Sequence, residues 1–396
     1  MGFSLGQGIA QIKADMPMQN LPVLGGNFSG DLTNQNNYKM LGEWLTIENN
    51  FTIELPTNAT SDTTINFSYA DGSFFKQLKN FQWKLNANET IKNIPDLEYY
   101  KILYHLNNNG LRPYNNAPKS VTIPQGQKSA NINIQFVVPM PLISEQNINF
   151  LSTFICAWLY QNNTIQGDCV SVNDIVSVNN PNATITPNSL KIKTTGEFWI
   201  VDNDYLYAST TEAVLEKIGY LPRTTSKLQP FTASGADQII DLNPTDLENL
   251  NRLVLIVRDA ETKQRIDTSV IERIRVTDGF RDLIDTDPVI LNQFTANRYD
   301  LDFKKSFSAV DDDELDGIGA LYGVLTIDTS FFGDMKNAVL ATGNWAKPKI
   351  YLNIGDLSNY TKGIEICVLT DSIVQIQALQ SMINNYVRVA TDPTKM

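Results

Sequence analysis

The chain has 396 residues, 42% of them hydrophobic and 19% charged, with a formal net charge of −12. This length and apolar content suit two full cores rather than one. The acidic balance, with no Lys/Arg-rich run or arm, argues against direct contact with nucleic acid, and the three cysteines are too few and too scattered for a disulfide framework.

Residues 1–20 read as an N-terminal arm. Phe3, Leu5, Ile9, Ile12 and Met16 can share one helical face, while Gly2, Gly6 and Gly8 weaken any helix. The start lacks a basic segment followed by an apolar one, so no signal peptide is expected. From about residue 38 the pattern is β. Strands are expected in "MLGEWLTIENNFTIEL" (40–55), "TTINFSYA" (63–70), "FFKQLKNFQWKL" (74–85), "EYYKILYHL" (98–106) and "KSVTIPQ" (119–125).

The stretch "SANINIQFVVPMPL" (129–142) is the clearest strand. Side chains alternate faces along a strand, so Ile132, Ile134, Phe136 and Val138 fall on one side and Asn131, Asn133 and Gln135 on the other. Pro139 and Pro141 cannot donate ladder hydrogen bonds, so the strand must stop there or lie at an edge. Its amide face is either the solvated outside of a sandwich or a contact surface for another polar face.

The apolar run "FLSTFICAWLY" (150–160) is too short to cross a bilayer and reads as a buried strand or helix. The polar stretch "NNPNATITPNSLKIKTTG" (179–196) reads as a crossing between domains. A second β series follows, with "EFWIVDNDYLYA" (197–208), a helix at "TEAVLEKIGYL" (211–221), then "NRLVLIVRDAET" (251–262), "GALYGVLTIDTSF" (319–331), "KPKIYLNIGDL" (347–357) and "KGIEICVLTDSI" (362–373). The end, "SIVQIQALQSMINNYVRV" (372–389), extends the last strand or forms an amphipathic helix, and the helix is preferred.

Motifs for chemistry are sparse. His105 is the one histidine, and no cysteine stands at metal-ligand spacing to it. No nucleophile elbow, phosphate loop or zinc-protease motif occurs, so no catalytic residue and no cofactor is expected. In "DDDELDG" (311–317), Asp312, Glu314, Asp316 and Gly317 nearly match the first half of a calcium loop. Position 323 is Gly where the closing Glu would stand, so a solvated loop is the plainer reading and a structural Ca²⁺ the other. Asn58-Ala-Thr, Asn88-Glu-Thr and Asn359-Tyr-Thr fit glycosylation sequons, which an Asn/Thr-rich chain also produces by chance. A Cys156–Cys169 bridge is open, with free thiols the simpler expectation.

The order and punctuation of residues 38–375 resemble the double jelly-roll major capsid proteins of the tectivirus–adenovirus lineage, those of tailless, membrane-containing icosahedral phages above all. The resemblance rests on "INIQFVVPMPL" as the proline-ended exit of the first roll. In the second roll it rests on "RLVLIVRDAETKQRIDT" (252–268) and the closing "KPKIYLNIGDLSNYTKGIEICVLTDSI" (347–373). Residues 150–200 and the C-terminal tail depart from it. It implies an all-β chain of two eight-stranded antiparallel jelly rolls in tandem with a few short helices. The expected division is an arm at 1–20, rolls at 21–190 and 191–380, and a tail at 381–396.

The resemblance further implies a structural, non-enzymatic role as the major capsid protein of a virion assembled in the host cytoplasm. Homotrimers would form pseudo-hexagonal capsomers, meeting neighbouring capsomers, penton and minor capsid proteins, and an internal membrane through the arm, with no direct nucleic-acid contact. A two-domain β-sandwich receptor-binding or adhesin protein would share the composition and strand spacing. A β-sandwich glycosidase would need two carboxylates in one cleft.

Overall fold

The computed structural model describes residues 10–33, 38–86, 89–107, 113–141, 155–156, 162–200, 220–243, 250–310, 317–328 and 347–375. The first half opens with β1 (Ala10–Asp15), β2 (Gln19–Leu21), β3 (Gly25–Thr33), β4 (Tyr38–Glu54) and β5 (Thr63–Tyr69). After a single 3-10 turn at Ser73–Lys76 come β6 (Leu78–Leu85), β7 (Glu89–Asp96), helix α1 (Glu98–Asn107), β8 (Tyr114–Asn115), β9 (Ser120–Ile123) and β10 (Ser129–Pro141). The strands β11 (Ile155–Cys156), β12 (Asn162–Val170), β13 (Val176–Val178) and β14 (Thr184–Ile200) follow.

The second half holds β15 (Tyr220–Phe231), β16 (Gly235–Asp241), β17 (Leu250–Asp259), β18 (Ile271–Thr277) and β19 (Asp282–Thr286). Helices α2 (Pro288–Tyr299) and α3 (Phe303–Phe307) precede β20 (Val324–Asp328), β21 (Lys349–Ile354) and β22 (Ile364–Gln375).

One connectivity occurs twice. In the second half the strands lie in the orders β15-β22-β17-β20 and β16-β21-β18-β19. With the short β2, β8 and β11 and the separate β13-β5-β9 sheet set aside, the first half repeats this as β1-β14-β4-β10 and β3-β12-β6-β7. In both, the first strand lies beside the last, and one sheet faces the other across a core. Each half is therefore a jelly roll, and the chain is a double jelly roll. A continuous sheet links them: β15 of the second roll lies parallel to β7 of the first, with Thr224 opposite Lys92.

The strand beginning at Ser129 behaves as its pattern dictates. Ile132, Ile134, Phe136, Val138 and Met140 are buried, while Asn131 and Asn133 are exposed. Both prolines lie within β10, opposite Trp44 and Gly42 of β4. They are tolerated because β10 is near the sheet edge, where β8 pairs only with Phe136 and Val137. Trp83 from the opposing sheet is fully buried in the same core.

Several expectations are corrected. "EYYKILYHL" is helix α1, not a strand: Tyr99, Ile102, Leu103 and Leu106 recur at three and four residues and are all buried. The Asp96 carboxylate accepts the Glu98 backbone N–H where the helix begins. The polar stretch 179–196 is no crossing, since from Thr184 it is β14, a 17-residue strand whose Leu190 and Ile192 point into the core while lysines fill the other face. That strand runs unbroken through residues 190 and 191, where the rolls were expected to meet, and takes in 197–200, expected to open the second series.

Within the described part of the arm, helical spacing is also the wrong period, and Phe3, Leu5 and Ile9 of the expected helical face lie outside the described residues. Ala10–Asp15 pairs antiparallel with residues 195–200 of β14, so the backbone finds its hydrogen bonds in a sheet. Tyr220 and Leu221, expected to end a helix, begin β15, and Ser372–Gln375 extend β22 rather than opening a helix. Residues 211–219 and 376–389 of those two expected helices lie outside the described residues.

Candidate assembly surfaces

Where the two rolls meet, charge is buried. Asp71 follows β5, Lys76 ends the 3-10 turn, Asp96 ends β7 and Glu98 starts α1; all four belong to the first roll. From the second roll, Arg258 near the end of β17 and Arg265 in the following loop reach across. Arg265 grips the Asp71 carboxylate (Nη2–Oδ1 2.9 Å) and lies 2.8 Å from Glu98. Its Nη1 also donates to the carbonyls of Ala320 and Tyr322 at 2.8 and 3.2 Å. Arg258 reaches Asp96 at 3.0 Å and Glu98 at 2.6 Å, and Lys76 sits 3.2 Å from Asp71.

Three carboxylates thus face three cations, which is the condition for burying charge without a large desolvation loss. Burial pushes the Asp71 carboxyl up, but Arg265 and Lys76 outweigh it and hold the group below the ordinary carboxylate range. Glu98 is lowered in the same way, against burial, by Lys76, Arg265 and Arg258. Asp96 goes the other way, because burial, with Glu98 alongside, exceeds the pull of Arg258.

A second polar seam crosses the same junction. Lys92 of β7 donates to Thr224 of β15 at 2.7 Å, and Thr224 donates to Asp371 of β22 at 2.7 Å. The Tyr99 hydroxyl, from α1, donates to the same Asp371 carboxylate. Burial lowers the Lys92 ammonium, with Asp371 opposing, and raises the Tyr99 hydroxyl. Around these seams Val254, Ile256, Val324, Cys367 and Leu369 of the second roll join the core of the first. The rolls are packed as one body, with arginine forks and hydroxyls fixing their register.

The other notable surface is the outer face of the β14–β4–β10 sheet. Asn188, at a bulge in β14, donates to Asn50 at 2.9 Å, Thr52 at 2.8 Å and Asn131 at 3.2 Å. Farther along, Gln135 donates to Glu48 at 3.2 Å. Beneath the sheet, buried Trp83 donates to Asn163, which donates to buried Glu43. Burial raises the Glu43 carboxyl well above its usual range despite the Asn163 hydrogen bond.

Of the residues singled out in the sequence, Asp312, Glu314 and Asp316 lie outside the described residues. Among the described residues no group of three metal-ligating side chains occurs. His105 lies in the last turn of α1, half-buried. Asn58 and Asn359 of the sequons are exposed, and Asn88 lies outside the described residues. Cys169 and Cys367 are buried free thiols, so Cys169 is not bridged to Cys156. No helix among the described residues is long and apolar enough to cross a membrane. The junction cluster was not foreseen. Its members are up to 194 residues apart, and the signal available was Arg258 at the end of the apolar run "LVLIV", with Arg265 soon after it.

No protein-family model and no curated relative matches the sequence. Solved structures do. The major capsid protein of the Sulfolobus turreted icosahedral virus is similar at a TM-score of 0.56 and 12% identity, covering 94% of this chain and 98% of that one. The Faustovirus major capsid protein aligns at 0.58 and 8% identity, covering 94% and 91%. That of bacteriophage PM2 aligns at 0.50 and 10% identity, covering 93% and 99%. These likenesses establish the shared double jelly-roll fold.

Proposed function

We propose that the chain is the major capsid protein of an icosahedral virus. Three copies form a pseudo-hexagonal capsomer, and capsomers tile a shell that surrounds an internal membrane. The observation that carries this reading is the tandem repeat of one jelly-roll connectivity within a single packed body, in the arrangement found over nearly the full length of three viral capsid proteins. Two like rolls per chain give six around a three-fold axis. The buried ion cluster suits such a subunit, because a lattice unit must hold its two rolls at a fixed angle.

In this reading the first roll comprises residues 10–200 and the second 220–375. Pairing of β1 with β14 leaves residues 1–9 for a contact with the membrane or with neighbouring subunits. The chain's work is structural, its partners are its own copies, penton and minor capsid proteins, and it resides in the virion after assembly in the host cytoplasm. Electron microscopy of the purified full chain provides the test. Particles of hexagonal outline with six lobes are expected, and an elongated two-lobed monomer at every concentration would overturn the reading. For the membrane contact, flotation with neutral phosphatidylcholine vesicles should recover the full chain and not a form lacking residues 2–9.

A further inference from the structure

Among the described residues the most exposed large apolar side chain is Phe280, at 81%. It stands at the tip of the hairpin between β18 and β19, and the tip is fixed by its own hydrogen bonds. The Asp278 carboxylate accepts the backbone N–H groups of Phe280 and Arg281 at 2.8 and 3.0 Å and the Arg281 Nε–H at 3.0 Å. The Thr277 hydroxyl accepts the Gly279 N–H at 3.0 Å. Gly279, with φ at +99°, lets the turn press against the backbone of Lys347, where a Cβ would lie 2.8 Å from the amide nitrogen. An aromatic ring held out in water by so ordered a turn is organised in advance for a contact outside the chain.

Strand pairing places this tip at the end of the subunit from which residues 1–9 leave. Ala10 lies opposite Ile200, and Ile200 opposite Tyr38. The short link from Tyr38 back to Thr33 carries that end to the other sheet, where Thr33 pairs with Asn162, and Leu85 with Asn163 and with Glu89 at the start of β7. Strand β15 runs parallel to β7, so it too starts at this end, with Gln375 opposite Tyr220 and Leu250 opposite Ser372. The link from Leu250 back to Asp241 reaches the second sheet of the second roll. There Asp241 pairs with Lys349, and Lys349 with Thr277 at the foot of the hairpin.

We infer that the 277–282 hairpin is the second roll's own membrane contact: the Phe280 ring enters the boundary between lipid headgroups and acyl chains, with the Arg281 guanidinium at the level of the phosphates. The inference rests on the reading that residues 1–9 face an internal membrane, and it adds a second, independent point of attachment. In the first roll the chain's free end supplies the apolar contact. The second roll starts within the chain and has no such end, and the aromatic hairpin belongs to it alone, since β6 and β7 of the first roll turn through Asn86, Ala87 and Asn88. A convex tip needs a matching hollow in a protein partner, whereas a lipid surface yields to it. The charges suit lipid as well. Each described carboxylate beside the tip has a cation: Asp278 has Arg281 at 3.0 Å, Asp241 has Lys349 at 3.3 Å and Asp282 has Arg275 at 3.7 Å. Exposed Lys347, against the turn, adds positive charge, which favours rather than opposes lipid phosphates.

Two experiments on the full chain with neutral phosphatidylcholine vesicles decide the matter. In the first, flotation compares the wild type with Phe280→Ser. The exposed ring contributes little to the fold, so the variant should keep the wild-type melting curve. Its partition onto vesicles should fall by about tenfold per copy, the worth of burying one such ring, and by more where three copies bind together. One ring per copy is too weak to hold the chain without residues 2–9, so its effect is read with them in place. In the second, Phe280→Trp should bind as the wild type does, and the fluorescence it adds should be quenched by lipids brominated in their acyl chains. If the wild type floats but Phe280→Ser floats equally well, or if the added fluorescence is not quenched on bound vesicles, the hairpin contact is wrong while the membrane reading stands. If the wild type does not float, both fall.

Discussion

Replacing Arg265 with Ala should be among the most damaging single changes outside the apolar cores. Its side chain is completely buried and holds together Asp71, Glu98 and the carbonyls of Ala320 and Tyr322. Removing it leaves two buried carboxylates with only Lys76 and Arg258 nearby. Breaking a buried pair by deleting one partner costs about 3–5 kcal/mol, and each stranded carbonyl adds about 1–3 kcal/mol before relaxation. Because these losses overlap, about 5 kcal/mol is the expected total, a large share of the roughly 5–15 kcal/mol that holds a domain together.

Urea titration followed by tryptophan fluorescence and far-UV circular dichroism measures the effect. A single transition in the parent should move to lower urea and split, since the cluster ties one roll to the other. Arg265→Lys should recover only part of the loss, because an ammonium cannot reproduce the planar fork. The double change Asp71→Asn with Arg265→Met should cost less than the sum of its parts. A loss below about 1 kcal/mol for Arg265→Ala, with one unshifted transition, would refute the view that the cluster fixes the junction.

Other consequences are as direct. Phe136→Ala should cost about 3–5 kcal/mol by opening a cavity between the two sheets of the first roll, as calorimetry would register. Glu43→Gln should leave acid stability unchanged and raise stability at alkaline pH by about 1–3 kcal/mol. A carboxyl whose folded pKa is raised contributes stability that is present at low pH and lost as pH rises, whereas the amide keeps the Asn163 hydrogen bond at every pH. For Asp71 and Glu98 the sign reverses. Their folded values are depressed, so the stability they confer is present above the usual carboxylate value of about 4 and is lost only as pH falls below it. Melting temperature should therefore hold from neutrality to about pH 5, and an early drop near pH 6 would contradict this. Gly363→Ala should destabilise strongly, since φ is +76° there and a Cβ would lie 2.1 Å from the Phe231 carbonyl oxygen.

The parts of the fold that were legible in the sequence are those where one face is apolar and the other polar. Ser129–Pro141, Tyr38–Glu54 and Ile364–Gln375 announce themselves by alternation or by β-branched runs. Strands such as Gly25–Thr33, Asn162–Val170 and Gly235–Asp241 do not, because glycine, asparagine and aspartate stand where propensity favours turns. Packing against neighbouring strands overrides that preference. Helix α1 was obscured by its tyrosines and isoleucine, which favour strands in isolation, although their spacing was helical throughout. The junction cluster was invisible for a different reason. Asp71, Glu98 and Arg265 gain meaning only when the rolls dock, and nothing local to any of them records that event. The amide side of Ser129–Pro141, by contrast, could be read from Asn131, Asn133 and Gln135, though not the Asn188, Asn50 and Thr52 side chains that share its face.

Native mass spectrometry of the purified full chain at micromolar concentration tests the central claim most directly. With a subunit of 44.3 kDa, the capsomer account predicts a dominant species of three chains that persists on dilution. A single-chain species across the whole concentration range, from a protein shown to be folded by its melting transition, would contradict it.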